Sequence, residues 1–133
     1  MKKQINEALA EINDFVKKKL YFDFEVCEYW GNTLKIVGSE DLTYEYQLSI
    51  MFHDVFYLQC PRSWQSDTRN DIIVIPEINE QKPINLTYGI ERGYTMIKII
   101  AEDVSPIYIS AKEITISYDN ATRYGGDRMA TST

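Results

Sequence analysis

Residues 43–60, TYEYQLSIMFHDVFYLQC, alternate apolar and polar side chains over most of their length. Apolar side chains at every second position are typical of a strand with one buried face. The apolar positions are Tyr44, Tyr46, Leu48, Ile50 and Phe52, followed by Phe56, Leu58 and Cys60. We therefore predict that this stretch forms the central β-hairpin of the fold.

The register of this hairpin follows from the need to put both apolar sets on one face. A three-residue loop, Phe52-His53-Asp54, would pair Ile50 with Phe56 and bring the apolar sets together. A two-residue turn would turn the second apolar set to the wrong side. The longer loop needs a left-handed residue at its end, and aspartate tolerates that conformation.

Residues 4–20 have the period of an amphipathic helix. Its apolar stripe is Ile5, Leu9, Ile12, Phe15, Val16 and Leu20. Lysines at 17–19 would complement the dipole at the helix end. We expect this helix to lay its stripe on a sheet.

A further hairpin is predicted before the central one, with strands at residues 22–27 and 33–37 around a Gly31-Asn32 turn. A two-residue turn would place Glu28 opposite Lys35, whereas a three-residue loop would place Val26 opposite Ile36. The sequence leaves both registers open.

The rest of the chain predicts four more strands and one irregular loop. The strands lie at residues 72–75, near 84–88, at 94–102 and at 107–118, and residues 62–71 form a surface loop that carries Trp64. Residues 119–133, with two adjacent glycines and little apolar content, are expected to be a flexible tail.

This order predicts a single α+β domain over residues 1–118, with an N-terminal helix packed on a curved, mainly antiparallel sheet of six to eight strands. At 133 residues the chain is long enough for one hydrophobic core. The two cysteines, Cys27 and Cys60, lie within strand patterns and are expected to be reduced core residues.

The charge and the segment lengths exclude several classes of partner. The formal net charge of -6 disfavours nucleic acids and anionic membranes, and favours a basic or neutral protein. Apolar runs are too short to span a membrane, and the charged N-terminus does not resemble a secretory signal. We therefore expect a cytoplasmic protein.

No catalytic, metal or cofactor motif is present in the sequence. His53 is the single histidine and falls in a predicted turn, as do the acidic pairs Glu40-Asp41 and Glu102-Asp103. The glycines are too scattered for a phosphate loop, and the spacing of a zinc site is missing. We expect a protein that is not an enzyme and binds no cofactor.

The most informative chemistry is aromatic, with ten tyrosines, five phenylalanines and two tryptophans. Aromatic and arginine side chains carry much of the binding energy at protein interfaces. The candidates outside the predicted core are Tyr57, Arg62, Trp64, Tyr88, Arg92 and Tyr94. Trp64 has an alternative role, in which it folds back to cover a sheet edge.

The size, the acidity, the absence of motifs and the order of helix and sheet over residues 1–118 make the chain similar to bacterial immunity or antitoxin-type proteins. The resemblance implies a specific protein partner, a toxin domain with a basic surface. Two acidic clusters would then steer association: Asp23, Glu25 and Glu28, and Glu40, Asp41 and Glu45.

Two other functions fit the same sequence. The first is a small-ligand or enzymatic domain with a pocket between helix and sheet, lined by Tyr44, Tyr46, Cys27 and Cys60. The second is an oligomeric structural protein, for instance a homodimer, that buries a sheet edge.

Overall fold

The computed structural model describes residues 4–41, 46–102 and 105–118. The predicted fold class is confirmed: two helices accompany two antiparallel sheets. The elements are α1 (Ile5–Lys17), β1 (Tyr21–Trp30), β2 (Thr33–Ser39), β3 (Leu48–His53), β4 (Tyr57–Gln59), β5 (Ser63–Asp67), β6 (Ile73–Val74), α2 (Ile78–Tyr88), β7 (Thr95–Ile99), β8 (Ile107–Ala111) and β9 (Glu113–Ser117). The predicted tail at 119–133 lies outside the described residues.

The strands of the described part divide into two sheets, where one curved sheet was predicted. The first sheet has the order β5-β1-β2-β3-β9, and the second has the order β4-β8-β7-β6. Every strand pairing among the described residues is antiparallel, both between neighbours in sequence such as β1 and β2 and between distant strands such as β3 and β9. The helix α1 packs against β9 and β6, an edge strand from each sheet.

The predicted central hairpin is wrong, because β3 and β4 belong to different sheets. Ile50 pairs with Ile36 and Ile116, and Leu58 pairs with Ile109. The chain bends at Asp54, which has the left-handed conformation expected of it (φ 55°). The face assignment is correct for β3, since Leu48, Ile50 and Phe52 are all buried. It is reversed just after the bend, where Val55 is buried and Phe56 is 39% exposed.

A second chain segment, residues 107–118, bends beside the bend at Asp54. The segment that was predicted as one strand, 107–118, breaks at Lys112 into β8 and β9. The Phe56 amide donates to the Ser110 carbonyl at 2.8 Å, and the Lys112 amide donates to the His53 carbonyl at 3.0 Å. One antiparallel pair of chain segments therefore passes from the first sheet into the second, and both segments bend at the same place.

The first hairpin combines the two registers that the sequence left open. Near the Gly31-Asn32 turn, Glu28 lies opposite Lys35, and beyond an irregularity at Cys27, Val26 lies opposite Ile36. A β-bulge inserts one residue into a strand, so both pairings occur in one hairpin.

Two further segments differ from prediction. Residues 78–88 form a helix instead of a strand near 84–88; the left-handed Gly89 (φ 61°) ends it. The predicted loop after Cys60 contains β5, which pairs with β1 and places Trp64 opposite Phe24.

The core lies between the two sheets and α1. Ala8, Ile12 and Val16 of α1 are fully buried, whereas Leu20 is 90% exposed because the helix ends at Lys17. Asn13 joins α1 to β6: its Nδ2 donates to the Ile73 carbonyl at 2.9 Å, and its Oδ1 accepts from the Ile72 amide at 2.8 Å. This buried amide orients the helix through directional bonds that apolar packing lacks.

Candidate functional site

Three of the predicted partner-binding residues, Tyr57, Tyr88 and Tyr94, gather where the chain bends between the sheets, and Arg92 precedes Tyr94 by two residues in the sequence. Tyr57 begins β4, Tyr88 ends α2, and Arg92 and Tyr94 lie in the connection from α2 to β7. Two residues that the sequence did not single out, Phe56 and Lys112, complete this surface. We call Phe56, Tyr57, Tyr88, Arg92, Tyr94 and Lys112 the corner patch.

The rings of the corner patch are held in pairs. The Tyr57 and Tyr88 ring centroids lie 4.5 Å apart, and those of Phe56 and Tyr94 lie 5.0 Å apart. The Lys112 ammonium lies 5.0 Å from the centroid of the Tyr94 ring, which is within cation–π range. Tyr88 is 54% exposed and Phe56 is 39% exposed, so fixed aromatic surface is open to solvent.

The helix α2 positions Tyr88 through polar contacts. Glu80 accepts a hydrogen bond from the Tyr108 hydroxyl and forms an ion pair with Lys98 at 2.8 Å. The Gln81 side chain donates to the Pro76 carbonyl at 2.7 Å. No side chain within Ile78–Tyr88 is fully buried. Glu80 and the tilted contact of Tyr88 with Tyr57 therefore attach α2 to the second sheet, and Gln81 attaches it to the segment that precedes the helix.

The ionisation of the residues beneath α2 follows from these contacts. Burial, and then the Glu80 carboxylate, raise the pKa of Tyr108 to about 12. Hydrogen bonds from Lys98 and Tyr108 lower the pKa of Glu80. Burial and the neighbouring Tyr88 raise the pKa of Tyr57. At neutral pH the phenols are therefore protonated donors and Glu80 is a charged acceptor.

The acidic candidates lie elsewhere, at the other end of the first sheet. Asp23 pairs with Ser39 at the end of β2, and Glu40 and Asp41 follow directly. Burial is the largest influence that raises the pKa of Asp23, with the Asp41 charge adding to it and a hydrogen bond from Gln65 opposing it. The seven residues of β2 span roughly 20 Å, so these carboxyl groups and the hairpin tip beside the corner patch lie at opposite ends of β2.

The remaining acidic candidates do not form one cluster. Glu25 is buried on β1, so it is not part of the exposed charged surface. Glu28 is exposed and lies opposite Lys35 near the hairpin tip. Glu45 lies outside the described residues.

Trp64 is buried in the core, which contradicts its prediction as a partner-binding residue. It is 7% exposed and its ring stacks on Phe24 with the centroids 5.6 Å apart. The reason is β5, whose alternation turns Trp64 and Ser66 inward. Arg62, just before β5, is exposed, and its carbonyl accepts a hydrogen bond from Val26.

Two strongly exposed apolar residues were missed by the sequence analysis. Trp30 is 74% exposed at the tip of the first hairpin, and Leu86 is 84% exposed on α2. The Gly31-Asn32 turn was a usable signal for Trp30, because hairpin tips project into solvent. Leu86 gave no such signal, since its period-2 spacing with Ile84 and Tyr88 favoured a strand.

The space in which a ligand pocket was considered is filled by side chains. Phe15 contacts Phe22 edge to face, with the ring centroids 6.1 Å apart, and Val16 is fully buried beside them. Cys60 and Cys27 are partly buried, and burial raises the pKa of the Cys60 thiol. Tyr46 is buried, and Tyr44 lies outside the described residues.

The single histidine of the chain, His53, makes a hydrogen bond on the first sheet: its Nε2 lies 2.9 Å from the Thr115 hydroxyl oxygen.

Within the described ranges, no group of three or more histidine, cysteine or acidic side chains is placed to hold a metal ion. Neither of the helices described is long and apolar enough to cross a membrane. Comparison with protein-family models, with curated proteins and with solved structures gave no match.

Proposed function

We propose that this protein is a non-enzymatic protein-binding module and that the corner patch is its binding surface. The observation that carries the proposal is the two ring contacts, Tyr57 with Tyr88 and Phe56 with Tyr94, in each of which one ring is exposed to solvent. Tyrosine and arginine are enriched among the residues that dominate binding energy. The patch has both residue types, together with Lys112.

The ring contacts also reduce the cost of binding. A side chain that is ordered only on association loses roughly 0.5–1.5 kcal/mol of rotamer entropy. The rings of the corner patch already constrain one another before a partner arrives. Aromatic surface that is ordered before binding is typical of tight recognition sites.

The charge distribution favours a basic or neutral partner. The net charge of -6 and the exposed carboxylate of Asp41, near Asp23, would attract a cationic surface over a distance of about a Debye length. An immunity or antitoxin-type role, in which the protein covers a basic toxin domain, fits this charge and the resemblance of the whole chain. In this role the corner patch supplies contact energy and the carboxylates accelerate encounter.

The proposal is tested by affinity capture from lysate of the source organism with three tagged proteins. These are the wild type, the patch variant Tyr57→Ala/Tyr88→Ala, and the control variant Leu20→Ala/Tyr21→Ala. The control removes exposed apolar surface before and at the start of β1, at the other end of that strand from the hairpin tip. We expect one stoichiometric protein on the wild type and the control that is absent from the patch variant.

The result has to be separated from misfolding. Circular dichroism and the thermal midpoint of each variant show whether the fold is retained. If the folded patch variant retains the same partner as the wild type, or if the control loses it equally, the corner patch is not the binding surface.

A further inference from the structure

A second surface, remote from the corner patch in sequence, lies between α1 and the end of the chain's last described strand. It is an open groove of about 650 Å³ lined by Glu7, Ala10, Glu11, Asp14, Phe15 and Tyr118, with Lys18 at one end. Ligand sites in proteins have volumes of roughly 300–1,000 Å³. The groove is therefore large enough to hold a short segment of another chain.

The floor of the groove is aromatic. The Phe15 and Tyr118 ring centroids lie 4.9 Å apart at an interplanar angle of 46°. Lys19 Nζ lies 5.3 Å from the Phe15 centroid, so a cation of this chain already lies over the Phe15 ring. Tyr118 is 48% exposed. Rings with open faces attract ammonium and guanidinium groups through their quadrupoles.

The wall of the groove is acidic. Glu7, Glu11 and Asp14 follow at spacings of four and three, so they lie on one side of α1. The Tyr118 hydroxyl donates a hydrogen bond to Glu11, and the Glu7 side chain accepts one from the Gln4 amide at 3.1 Å. These bonds hold two of the carboxylates in place. An ionised carboxylate accepts more than one hydrogen bond, so neither bond by itself excludes a charged donor.

We propose that this groove binds an extended basic segment of a protein, in which two cationic side chains occupy alternate positions. Along a helix axis, Glu7 and Glu11 are about 6 Å apart. Alternate side chains of an extended chain are roughly 6.6 Å apart and point to the same side, so two arginines can meet the two carboxylates. Guanidinium groups also stack on aromatic faces, and the half-exposed Tyr118 ring provides one.

The length and the polarity of the groove set the orientation of the segment. From Glu7 to Lys18 the helix extends about 16 Å, which corresponds to roughly five extended residues. Lys18 repels cations at one end, so the two arginines lie toward Glu7. This proposal does not depend on the corner patch. Different variants test the two surfaces, so either proposal can be refuted without affecting the other.

The test uses the full chain and the peptide acetyl-Gly-Arg-Gly-Arg-Gly-amide, with binding followed by NMR shift changes and calorimetry. The groove variant is Glu7→Gln/Glu11→Gln, in which each glutamine keeps an acceptor, for the Gln4 amide and for the Tyr118 hydroxyl respectively. The control variant is Glu77→Gln/Glu91→Gln, which removes two exposed charges outside the groove. We expect saturable binding with shifts at Phe15 and Tyr118, at least ten-fold weaker in the groove variant and unchanged in the control.

Several outcomes would overturn the proposal. Equal weakening in the two double variants would mean that the peptide senses only net charge. Absence of saturable binding, or shifts that avoid Phe15 and Tyr118, would remove the groove as a site. Binding of free arginine amide as tight as that of the pentapeptide would exclude an extended segment as the ligand.

Discussion

At the scale of single residues, one of the two tryptophans is buried and the other is exposed, so substitution of one serves as the control for substitution of the other. Trp64 is 7% exposed and stacked on Phe24, whereas Trp30 is 74% exposed. We expect Trp64→Ala to lower the free energy of unfolding by about 3–5 kcal/mol, as for other buried aromatic truncations. Trp30→Ala should change it by less than about 0.5 kcal/mol. Urea denaturation measures both, and similar losses would refute the assigned burial.

The Trp64 indole offers a second comparison at the same position. Its Nε1 is buried, and no hydrogen-bond partner for it is present in the described part of the chain. An unsatisfied buried donor is unfavourable. Trp64→Phe removes this donor and retains a ring on Phe24, so it should cost clearly less than Trp64→Ala.

Gly38 occupies a position in β2 where no side chain fits. A Cβ there would lie 2.6 Å from Cε2 of Phe22 and 2.8 Å from the Phe24 ring. We expect Gly38→Ala to destabilise the fold by about 1–3 kcal/mol, because both rings are fully packed in the core. The denaturant midpoint tests this, and an unchanged midpoint would show that the rings move freely.

At the scale of elements, the Asn13 side chain links α1 to the edge strand β6 through hydrogen bonds. Its amide bonds to both Ile73 and Ile72 are buried. Asn13→Ala leaves buried backbone groups unpaired, and we expect a loss of about 2–4 kcal/mol. Asn6→Ala, an exposed change on the same helix, is the control and should be nearly neutral. A neutral Asn13→Ala would mean that water replaces the amide.

The attachment of α2 should depend on pH through Glu80. Its pKa is lowered from 4.5 by Lys98 and Tyr108, so the stabilisation is present above the unfolded pKa and is lost as the pH falls through the folded value. Hydrogen exchange of the α2 amides should be faster in Glu80→Gln than in the wild type at pH 7. The two should converge as the pH falls below 4.5 and through the lowered pKa of folded Glu80. A difference that persists at low pH would contradict the role of the Glu80 charge.

Comparison of α1 and β1 with α2 shows which secondary-structure elements can be predicted from the sequence. Ile12 and Val16 have a strong helical period, and Phe22 and Phe24 have a strong strand period, because one face of each element is buried. The helix α2 has no buried face, so its sequence carries no period, and Ile84 and Leu86 suggested a strand.

The corner patch was only partly predictable for a different reason. Tyr57 could be nominated because it lies on the outer face of its predicted strand, and Tyr88 because tyrosine is a residue type that carries binding energy at interfaces. Phe56 and Lys112 join the patch only because the chain changes sheet at Asp54, and local alternation does not distinguish a bend between sheets from a hairpin loop.

At the scale of the whole molecule, we propose that the acidic residues increase the rate of association and that the corner patch supplies the contact energy. Charges at the periphery of an interface change association rates more than dissociation rates. With a basic partner, Asp23→Asn/Asp41→Asn should slow association several-fold at low salt and leave dissociation unchanged, as measured by surface plasmon resonance. Faster dissociation in this variant would place these carboxylates inside the interface.

The central claim is that a protein partner binds at the corner patch, and hydrogen exchange of the complex tests it most directly. The protein is compared alone and saturated with the partner obtained by capture. We predict that protection on binding is concentrated at residues 54–59 and 86–94, where the paired rings lie. Protection confined to the Asp41 end of the first sheet, with residues 86–94 unchanged, would contradict the claim.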